Sequence, residues 1–109
     1  MKSSDDYIVV FVTAPTVAEA ETIATALVET GLAACVNVLP GVRSVYRWEG
    51  ALQHDDEVLM IIKSKGSVFA DLEKKVLELH SYDVPEVIAV DLTDASAGYL
   101  SFLRDSLNP

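Results

Sequence analysis

Three stretches of the chain are almost continuously apolar and rich in β-branched residues; they span 7–13, 57–63 and 86–92. Apolar runs of this length are typical of strands that are covered on both faces. Two segments between them, 16–30 and 67–80, place apolar residues three or four positions apart, which predicts helices with one buried side. A short final helix is expected after Asp94, with that residue as its cap.

The first helix carries clear start and stop signals. Thr16 and Glu19 fit a capping box, in which the Thr hydroxyl accepts from the N3 amide and the Glu side chain reaches back. Gly31 ends the helix, because glycine tolerates the left-handed conformation found there. Ser67 is expected to cap the second helix. Four or five apolar residues form each buried stripe: Ala20, Ile23, Ala24, Leu27 and Val28 in the first, and Phe69, Leu72, Val76 and Leu79 in the second.

The stretch 33–50 has no helical period and many β-formers, which predicts one long strand bent at Pro40 and Gly41. A turn at Glu49 and Gly50 leads into a polar return arm, 51–56. Alternation along a strand places Val42, Ser44, Tyr46 and Trp48 on one face, and Arg43, Val45 and Arg47 on the other. A strand this long in so short a chain extends beyond its own sheet, so we expect a partner to cover it.

The order strand, helix, strand, strand, helix, strand predicts an α+β domain built as a duplicated βαβ unit, the ferredoxin-like arrangement with an antiparallel sheet and an added C-terminal helix. We expect a frayed tail at 1–6 and a single domain at 7–109. The helices are expected to cover one face of the sheet. Because the strands are apolar on both faces, the other face predicts an oligomer.

Composition and charge argue against several classes of function. The 109 residues carry a net charge of −9, which argues against binding the phosphate backbone of nucleic acids. The apolar run at 8–12 is too short for a signal peptide or a membrane span, so we expect a cytoplasmic protein that does not enter the membrane. Cys35 is the only cysteine, which excludes an internal disulfide and suits a reducing compartment.

Few side chains in this sequence are candidates for metal binding or catalysis. Cys35 is a soft metal ligand or, more simply, a small buried hydrophobe. His80 is expected in the last turn of the second helix, where it is either a cap or a ligand in a cleft near Tyr82 and Glu86. The acidic run 54–57 is interpreted as a solvated hairpin arm, because neighbouring strand residues point to opposite faces. No nucleophile–base pair or phosphate loop is visible, so we do not expect an enzyme.

Several motifs together resemble one known family. They are VTAP at 12–15, GLAACVNVLPGVRSVYRWEG at 31–50, DDEVLMIIKS at 55–64, the sequence His80-Ser81-Tyr82 followed by Val84-Pro85-Glu86, and Tyr99-Leu100. The chain resembles the CutA divalent-cation tolerance family over roughly residues 7–107. The resemblance implies a ferredoxin-like fold and a tight homotrimer similar to the PII signalling proteins, with the hairpin reaching onto a neighbouring subunit.

The resemblance also implies where function would lie. It places Lys63 with Tyr46, Tyr82 and Glu86 in a cleft between subunits, and it links the family to copper and other divalent metals. The trimer interface is expected to use Trp48, Tyr46, Arg43 and Arg47.

This chain departs from the family pattern where copper would bind. Val12 and Leu79 stand where some members have the Cys and the additional His that suit copper, and Ser81 replaces the usual Pro. Three hypotheses therefore stay open: a trimer that binds copper or another divalent cation, a PII-like sensor of a small anionic metabolite that uses Lys63 and His80, and a trimer with a purely structural role.

Overall fold

Residues 6–108 are described by the structure, a computed structural model. The predicted tail at 1–6 lies outside the described residues except for Asp6. The carbonyl oxygen of Asp6 accepts a hydrogen bond from the backbone N–H of Gly66 at 2.9 Å. This position is therefore held beside the sheet, and the prediction of a frayed tail stays a prediction for residues 1–5, which lie outside the described residues.

Within residues 6–108 the chain forms four strands and three α-helices. They are β1 (Tyr7–Ala14), α1 (Val17–Glu29), β2 (Cys35–Trp48), β3 (Ala51–Lys65), α2 (Phe69–Leu79), β4 (Val87–Asp91) and α3 (Ala97–Ser106). The sheet order is β2-β3-β1-β4, and every neighbouring pair is antiparallel. This confirms the α+β class and the ferredoxin-like arrangement. The return arm 51–56 and the apolar strand after it are one strand, because the arm pairs continuously with β2.

The predicted start of α1 is half right. The hydroxyl of Thr16 accepts the backbone N–H of Glu19 at 3.1 Å. The reciprocal bond of the capping box is wrong, because the Glu19 carboxylate accepts two hydrogen bonds from Ser81 instead. Gly31 follows the helix at φ +73°, as expected for its end. Val28 is 45% exposed and leaves the predicted buried stripe.

The caps of the other two helices differ from prediction. Ser67 lies in a short 3₁₀ turn, Gly66–Val68, and Val68 precedes α2 without a side-chain cap. At α3 the capping residue is Ser96, whose hydroxyl accepts the backbone N–H of Tyr99 at 3.3 Å. The Asp94 carboxylate accepts the backbone N–H of Ala95 instead, and Asp94 lies two residues before the capping position.

The main core lies between one face of the sheet and the helices α1 and α2. Its fully buried members include Val10, Val12, Met60 and Ile62 from the strands and Ile23, Leu27, Leu72 and Val76 from the helices. The predicted stripe of α2 is correct at Leu72 and Val76, whereas Leu79 is 38% exposed. Buried and half-buried residues alternate along β1, so every second side chain of this strand faces the helices.

Helix α3 belongs to a second cluster. Leu103 and Leu107 pack with Ala34, and Tyr7 and Leu92 lie against them. Tyr7 alternates with the core residues of β1, so its side chain projects from the opposite sheet face. The expectation that the helices cover one face thus holds for α1 and α2 and is wrong for α3.

The remainder of that second face is uncovered in the single chain. Leu39 on β2 and Ile88 and Val90 on β4 are between 40% and 52% exposed. We call this surface the open face. Its apolar character agrees with the sequence-based expectation of strands that are apolar on both sides.

The end of the β2–β3 ladder extends past the rest of the sheet. The register between β2 and β3 shifts between Leu39 and Val42, at the predicted bend, where Gly41 has φ +86°. β1 pairs with β3 only as far as Val58. Residues 42–57, called the hairpin below, therefore form a two-stranded ribbon, closed by the predicted turn at Glu49 and Gly50, both with positive φ.

No α-helix within residues 6–108 is long and apolar enough to cross a bilayer.

Candidate functional site

A groove of about 750 Å³ lies where the base of the hairpin meets the segment between α2 and β4. The hairpin forms one wall, the segment 82–86 forms the other, and Thr13 contributes from the end of β1. The residues that line the groove are Thr13, Ser44, Val45, Tyr46, Trp48, Asp55, Glu57, Tyr82, Asp83, Val84, Pro85 and Glu86.

Strand alternation explains the hairpin wall. Ser44 lies opposite Asp55 in the ladder, and Val42 lies opposite Glu57, so these pairs share one face with Tyr46. The two Arg residues of β2 alternate onto the other face, where the guanidinium Nε of Arg43 lies 2.7 Å from a carboxylate oxygen of Asp56. The sequence predicted this division of the hairpin faces.

His80 anchors the other wall. Its side chain is fully buried directly after α2, with Nε2 2.7 Å from the carbonyl oxygen of Thr13. The backbone N–H of Tyr82 donates to Nδ1 at 3.0 Å. A carbonyl can only accept, so Nε2 carries the proton and the ring is held as the neutral tautomer. His80 is the C-cap residue of α2, as one of the two predictions had it, and its backbone N–H donates to the carbonyl oxygen of Val76 at 2.9 Å. Its side chain does not bind the helix end but fastens the segment 82–86 to β1.

Glu19 completes this attachment from α1. One carboxylate oxygen accepts both the backbone N–H and the hydroxyl of Ser81 at 3.0 Å, and it lies 3.4 Å from His80 Nδ1. Ser81 thus makes two hydrogen bonds that a Pro at this position, with neither N–H nor hydroxyl, could not make. The groove wall is consequently tied to both β1 and α1.

Tyr82 and Glu57 close the floor of the groove between its two walls. The Tyr82 hydroxyl donates to Oε2 of Glu57 at 3.0 Å. Burial, together with the hydrogen bond to the Glu57 carboxylate and its charge, raises the pKa of Tyr82 to about 12. Tyr82 therefore remains a hydrogen-bond donor at neutral pH.

The hydroxyl of Tyr46 is likewise bound to a carboxylate, on the hairpin wall of the groove. Its hydroxyl donates to the carboxylate of Asp55, and this hydrogen bond is the main cause that raises its pKa above the ordinary value for tyrosine. The two tyrosines predicted for a cleft are thus brought to one groove, each bonded to a carboxylate.

Two other candidates lie elsewhere. Lys63 is absent from the groove lining; its ammonium group donates to the side-chain carbonyl of Asn37 near the other end of the sheet. Cys35 is an unpaired thiol in the strand next to Lys63. It contacts the hydroxyl of Tyr99 on α3, and burial together with this contact raises the pKa of Tyr99.

A single chain does not assemble the predicted metal ligands. His80 and Cys35 belong to different regions, and both ring nitrogens of His80 are already hydrogen bonded. Among residues 6–108 no group of three or more His, Cys, Asp or Glu side chains is positioned to hold a metal ion.

The interface candidates lie on the hairpin. Trp48 is 48% exposed and Tyr46 is 41% exposed, both on the groove side. Arg43 is paired with Asp56 on the opposite face, and Nη1 of Arg47 donates to the carbonyl oxygen of Gly50 at 3.4 Å. These residues are available for assembly without loss of any core contact.

Sequence reasoning placed Glu86 in the cleft but missed the other three acidic residues of the groove, Asp55, Glu57 and Asp83. The run 54–57 was interpreted as a solvated arm, yet Glu57 is 8% exposed and Asp55 is half-buried. Their spacing of two residues, which puts both on the face of Tyr46 and Trp48, was the available signal. Asp83 is a further lining residue that no local pattern singled out.

Comparison with known proteins identifies the family. The sequence model of the "CutA1 divalent ion tolerance protein" family matches residues 8–106. The divalent-cation tolerance protein CutA of Thermus thermophilus is 44% identical over 98 residues, which cover 90% of this chain and 95% of that protein. The chloroplastic protein CutA of Arabidopsis thaliana is 48% identical over 91% of this chain, but the match spans only 54% of the longer plant protein.

Solved structures agree with the sequence match. CutA1 from Oryza sativa superimposes with a TM-score of 0.92 at 42% identity, covering 97% of this chain and 98% of that one. The Thermus thermophilus protein gives a TM-score of 0.91 at the same identity, covering 94% and 99%. The chain belongs to the CutA1 divalent ion tolerance protein family.

Proposed function

We propose that this protein acts in divalent-cation tolerance as a cytoplasmic homotrimer that binds divalent cations, copper among them, at the grooves beside its subunit boundaries. The observation that carries the proposal is the charge of the groove. Asp55, Glu57, Asp83 and Glu86 line it, and its described lining includes no Lys, Arg or His. Such a surface raises the local concentration of cations.

The exposed apolar surface supports the trimer. The open face leaves Ile88 and Val90 about half exposed, and the hairpin exposes Trp48 and Leu52 to a similar extent. Contiguous apolar patches of this kind mark interaction sites in soluble proteins. A second and a third copy would cover them and would bring the hairpin of one subunit beside the groove of another.

Copper does not fit the donors of one chain. Copper favours thiolate and imidazole ligands, and neither Cys35 nor a free imidazole nitrogen lies in the groove. A copper site would need donors from more than one subunit, whereas carboxylates alone suit harder divalent cations. The carboxylates of the groove are therefore the groups that first attract a divalent cation.

The alternative of an anionic metabolite has less support. An anion would have to enter a groove that already carries four carboxylates. Its cationic contacts would have to come from Lys63 or the hairpin Arg residues of a neighbouring subunit. A purely structural trimer remains the other alternative, and it predicts that substitutions in the groove have no effect on ligand binding. The names of the matched proteins describe tolerance and no reaction.

Sedimentation equilibrium tests the assembly. We expect a mass of three chains of 11.8 kDa each. Trp48→Ala should shift the mass toward smaller species, because a large aromatic anchor is lost from the hairpin. Leu77→Ala, which removes a side chain that is equally exposed on α2, is the control and should leave the mass unchanged. A wild-type protein that sediments as a monomer would refute the trimer.

Calorimetric titration with Cu(II) and Mn(II) tests the binding. Glu57→Gln should weaken binding, whereas Asp56→Asn removes the same charge from the opposite hairpin face and should not. Unchanged copper uptake in folded His80→Ala would remove His80 from the site. Absence of binding by either metal to the wild-type trimer would refute cation binding and leave the two alternatives, an anionic ligand and a structural role.

A further inference from the structure

The base of the hairpin is a place where the sheet can bend. β1 pairs with β3 as far as Val58, so Glu57 and the residues before it have β2 as their neighbouring strand. On the β2 side, Pro40 and Gly41 interrupt the described ladder, and Gly41 has φ +86°. Bulged strands bend at the bulge, and a two-stranded ribbon is by itself marginally stable. The hairpin is therefore free to change its angle to the sheet at the junction of Glu57 and Val58.

The hydrogen bond between Tyr82 and Glu57 lies at this junction. Glu57 is the last residue of the hairpin, and its Oε2 accepts the hydroxyl of Tyr82 at 3.0 Å. The hydrogen bonds and ion pairs described for three other hairpin side chains, those of Tyr46, Arg43 and Arg47, stay within the hairpin. The bond from Tyr82 thus joins the hairpin to the rest of the domain.

Tyr82 is itself held firmly on the side of the domain. Its backbone N–H donates to Nδ1 of His80, whose Nε2 donates to the carbonyl oxygen of Thr13. The preceding residue, Ser81, is bound twice to Glu19 on α1. A donor that is already ordered loses little conformational entropy when it binds. The hydrogen bond therefore restrains the hairpin more than it restrains Tyr82.

We propose that the hydrogen bond from Tyr82 to Glu57 is a latch that holds the hairpin at a fixed angle to the sheet. When the latch opens, residues 42–57 bend away as one ribbon. A latched hairpin already has the orientation in which a second copy of the chain would meet it, whereas a free ribbon would have to be ordered on association. This use of the latch in assembly rests on the proposed trimer, but the restraint on the hairpin does not.

Hydrogen–deuterium exchange of the complete protein tests the latch, with peptides from the hairpin and from β1 read by mass spectrometry. Tyr82→Phe removes the donor and keeps the ring. It should speed exchange across residues 42–56 about tenfold relative to β1, as expected for loss of a hydrogen bond to a charged group. Tyr99→Phe is the matched control, because Tyr99 is 36% exposed and Tyr82 is 37% exposed. It removes a hydroxyl that contacts Cys35 and should leave exchange of the hairpin unchanged.

Two substitutions of Glu57 test the acceptor. Glu57→Leu fills a similar space without an acceptor and should reproduce the effect of Tyr82→Phe. Glu57→Gln retains a carbonyl oxygen for the Tyr82 hydroxyl, so exchange of the hairpin should rise less than in Tyr82→Phe. Glu57→Gln is also expected to weaken cation binding, whereas Tyr82→Phe retains all four carboxylates of the groove. The latch and the proposed cation binding can therefore fail independently.

Unchanged exchange of the hairpin in both Tyr82→Phe and Glu57→Leu would overturn the inference. So would equal acceleration in Tyr99→Phe, or acceleration of β1 and the hairpin by the same factor in Tyr82→Phe, which would indicate a general loss of stability. Sedimentation of the same samples reports the assembly separately. A monomeric wild type would refute the trimer, and the exchange of its hairpin would still decide whether the latch exists.

Discussion

His80 is the residue through which distant parts of the chain meet. It joins the end of β1, through the carbonyl of Thr13, to the backbone of Tyr82, and its neighbour Ser81 is bound to α1. With both ring nitrogens engaged and the side chain fully buried, the imidazole acts as part of the fold. A loss of cation binding on its removal is therefore informative only when the fold is intact.

We expect His80→Ala to lower the free energy of unfolding by about 2–4 kcal/mol, because it leaves a cavity and two unpaired backbone groups. Urea denaturation followed by circular dichroism measures this change. His54→Ala is the matched control: the side chain lies exposed on the hairpin, and its removal should change stability by less than about 0.5 kcal/mol. Equal effects of the two substitutions would contradict the anchoring role of His80.

Tyr82 predicts how the protein responds to alkali. Its pKa in the folded protein is raised to about 12, above the value of about 10 for an unfolded chain. The stabilisation from this group is complete below pH 10 and is lost as the pH rises toward 12, because the unfolded chain releases its proton first. Absorbance titration near 295 nm should show a late tyrosine step that is absent from Tyr82→Phe. An identical profile in both proteins would disprove this assignment.

Residue-level prediction from the sequence succeeded where contacts are local. Alternation alone put Tyr46 and Trp48 on one hairpin face and Arg43 on the other. It failed for Glu57 and His80, whose surroundings depend on partners 25 and 67 positions away in the chain. A pattern within a few neighbouring residues does not reveal such distant partners. The residues at the floor of the groove are therefore identified only from the folded structure.

At the scale of elements, the end of α1 is fastened to the C-terminal segment. Gly31 has φ +73°, and a Cβ atom built on it would lie 2.2 Å from the side-chain oxygen of Asn108. The backbone N–H of Asn108 donates to the carbonyl of Gly31 at 3.0 Å, and its side-chain amide donates to the carbonyl of Thr30. This contact positions α3 against the second cluster.

Gly31→Ala should therefore destabilise the protein by about 1–3 kcal/mol, from a left-handed backbone that disfavours Cβ and from displacement of Asn108. Gly98→Ala is the control in α3, where an added Cβ meets nothing within 4 Å; it should be neutral or stabilising by up to about 1 kcal/mol. Thermal denaturation of both variants measures the difference. The same sign for both changes would rule out the proposed contact.

Element boundaries show why caps are harder to predict than helices. Thr16 was correct because a Pro fixes the end of the strand just before it. Ser67 was wrong because a 3₁₀ turn takes up the residues Gly66–Val68 before the α-helix begins. Asp94 was wrong because Ser96, two residues later, is better placed to accept from the first turn. Several residues near each start can cap, and packing of the helix decides among them.

At the scale of the whole molecule, a net charge of −9 coexists with apolar surface on the open face. The charge opposes association, whereas burial of apolar area favours it by about 25 cal/mol per Å². The sequence analysis predicted the fold and the apolar strand faces, and the net charge is read directly from the sequence. It could not define the groove, because the two groove walls come from segments that the linear pattern treats as unrelated.

If the proposed trimer is the folded form, its stability depends on protein concentration. A tenfold increase should raise the melting temperature by about 4 °C, since mass action favours the assembled state. Reversible scanning calorimetry at a series of concentrations provides the measurement. A melting temperature that is constant across that series, together with monomeric sedimentation, would show that the open face is stable without a partner.

The register shift between Leu39 and Val42 has a consequence for how this chain can change over evolution. Before the shift, β2 pairs with β3 inside the four-stranded sheet. After the shift, β2 and β3 pair only with each other, because β1 does not reach this part of β3. Substitutions beyond the shift leave the buried core untouched. Residues 42–57 can therefore change with little effect on the folding of the domain, and selection on them acts through assembly and ligand binding.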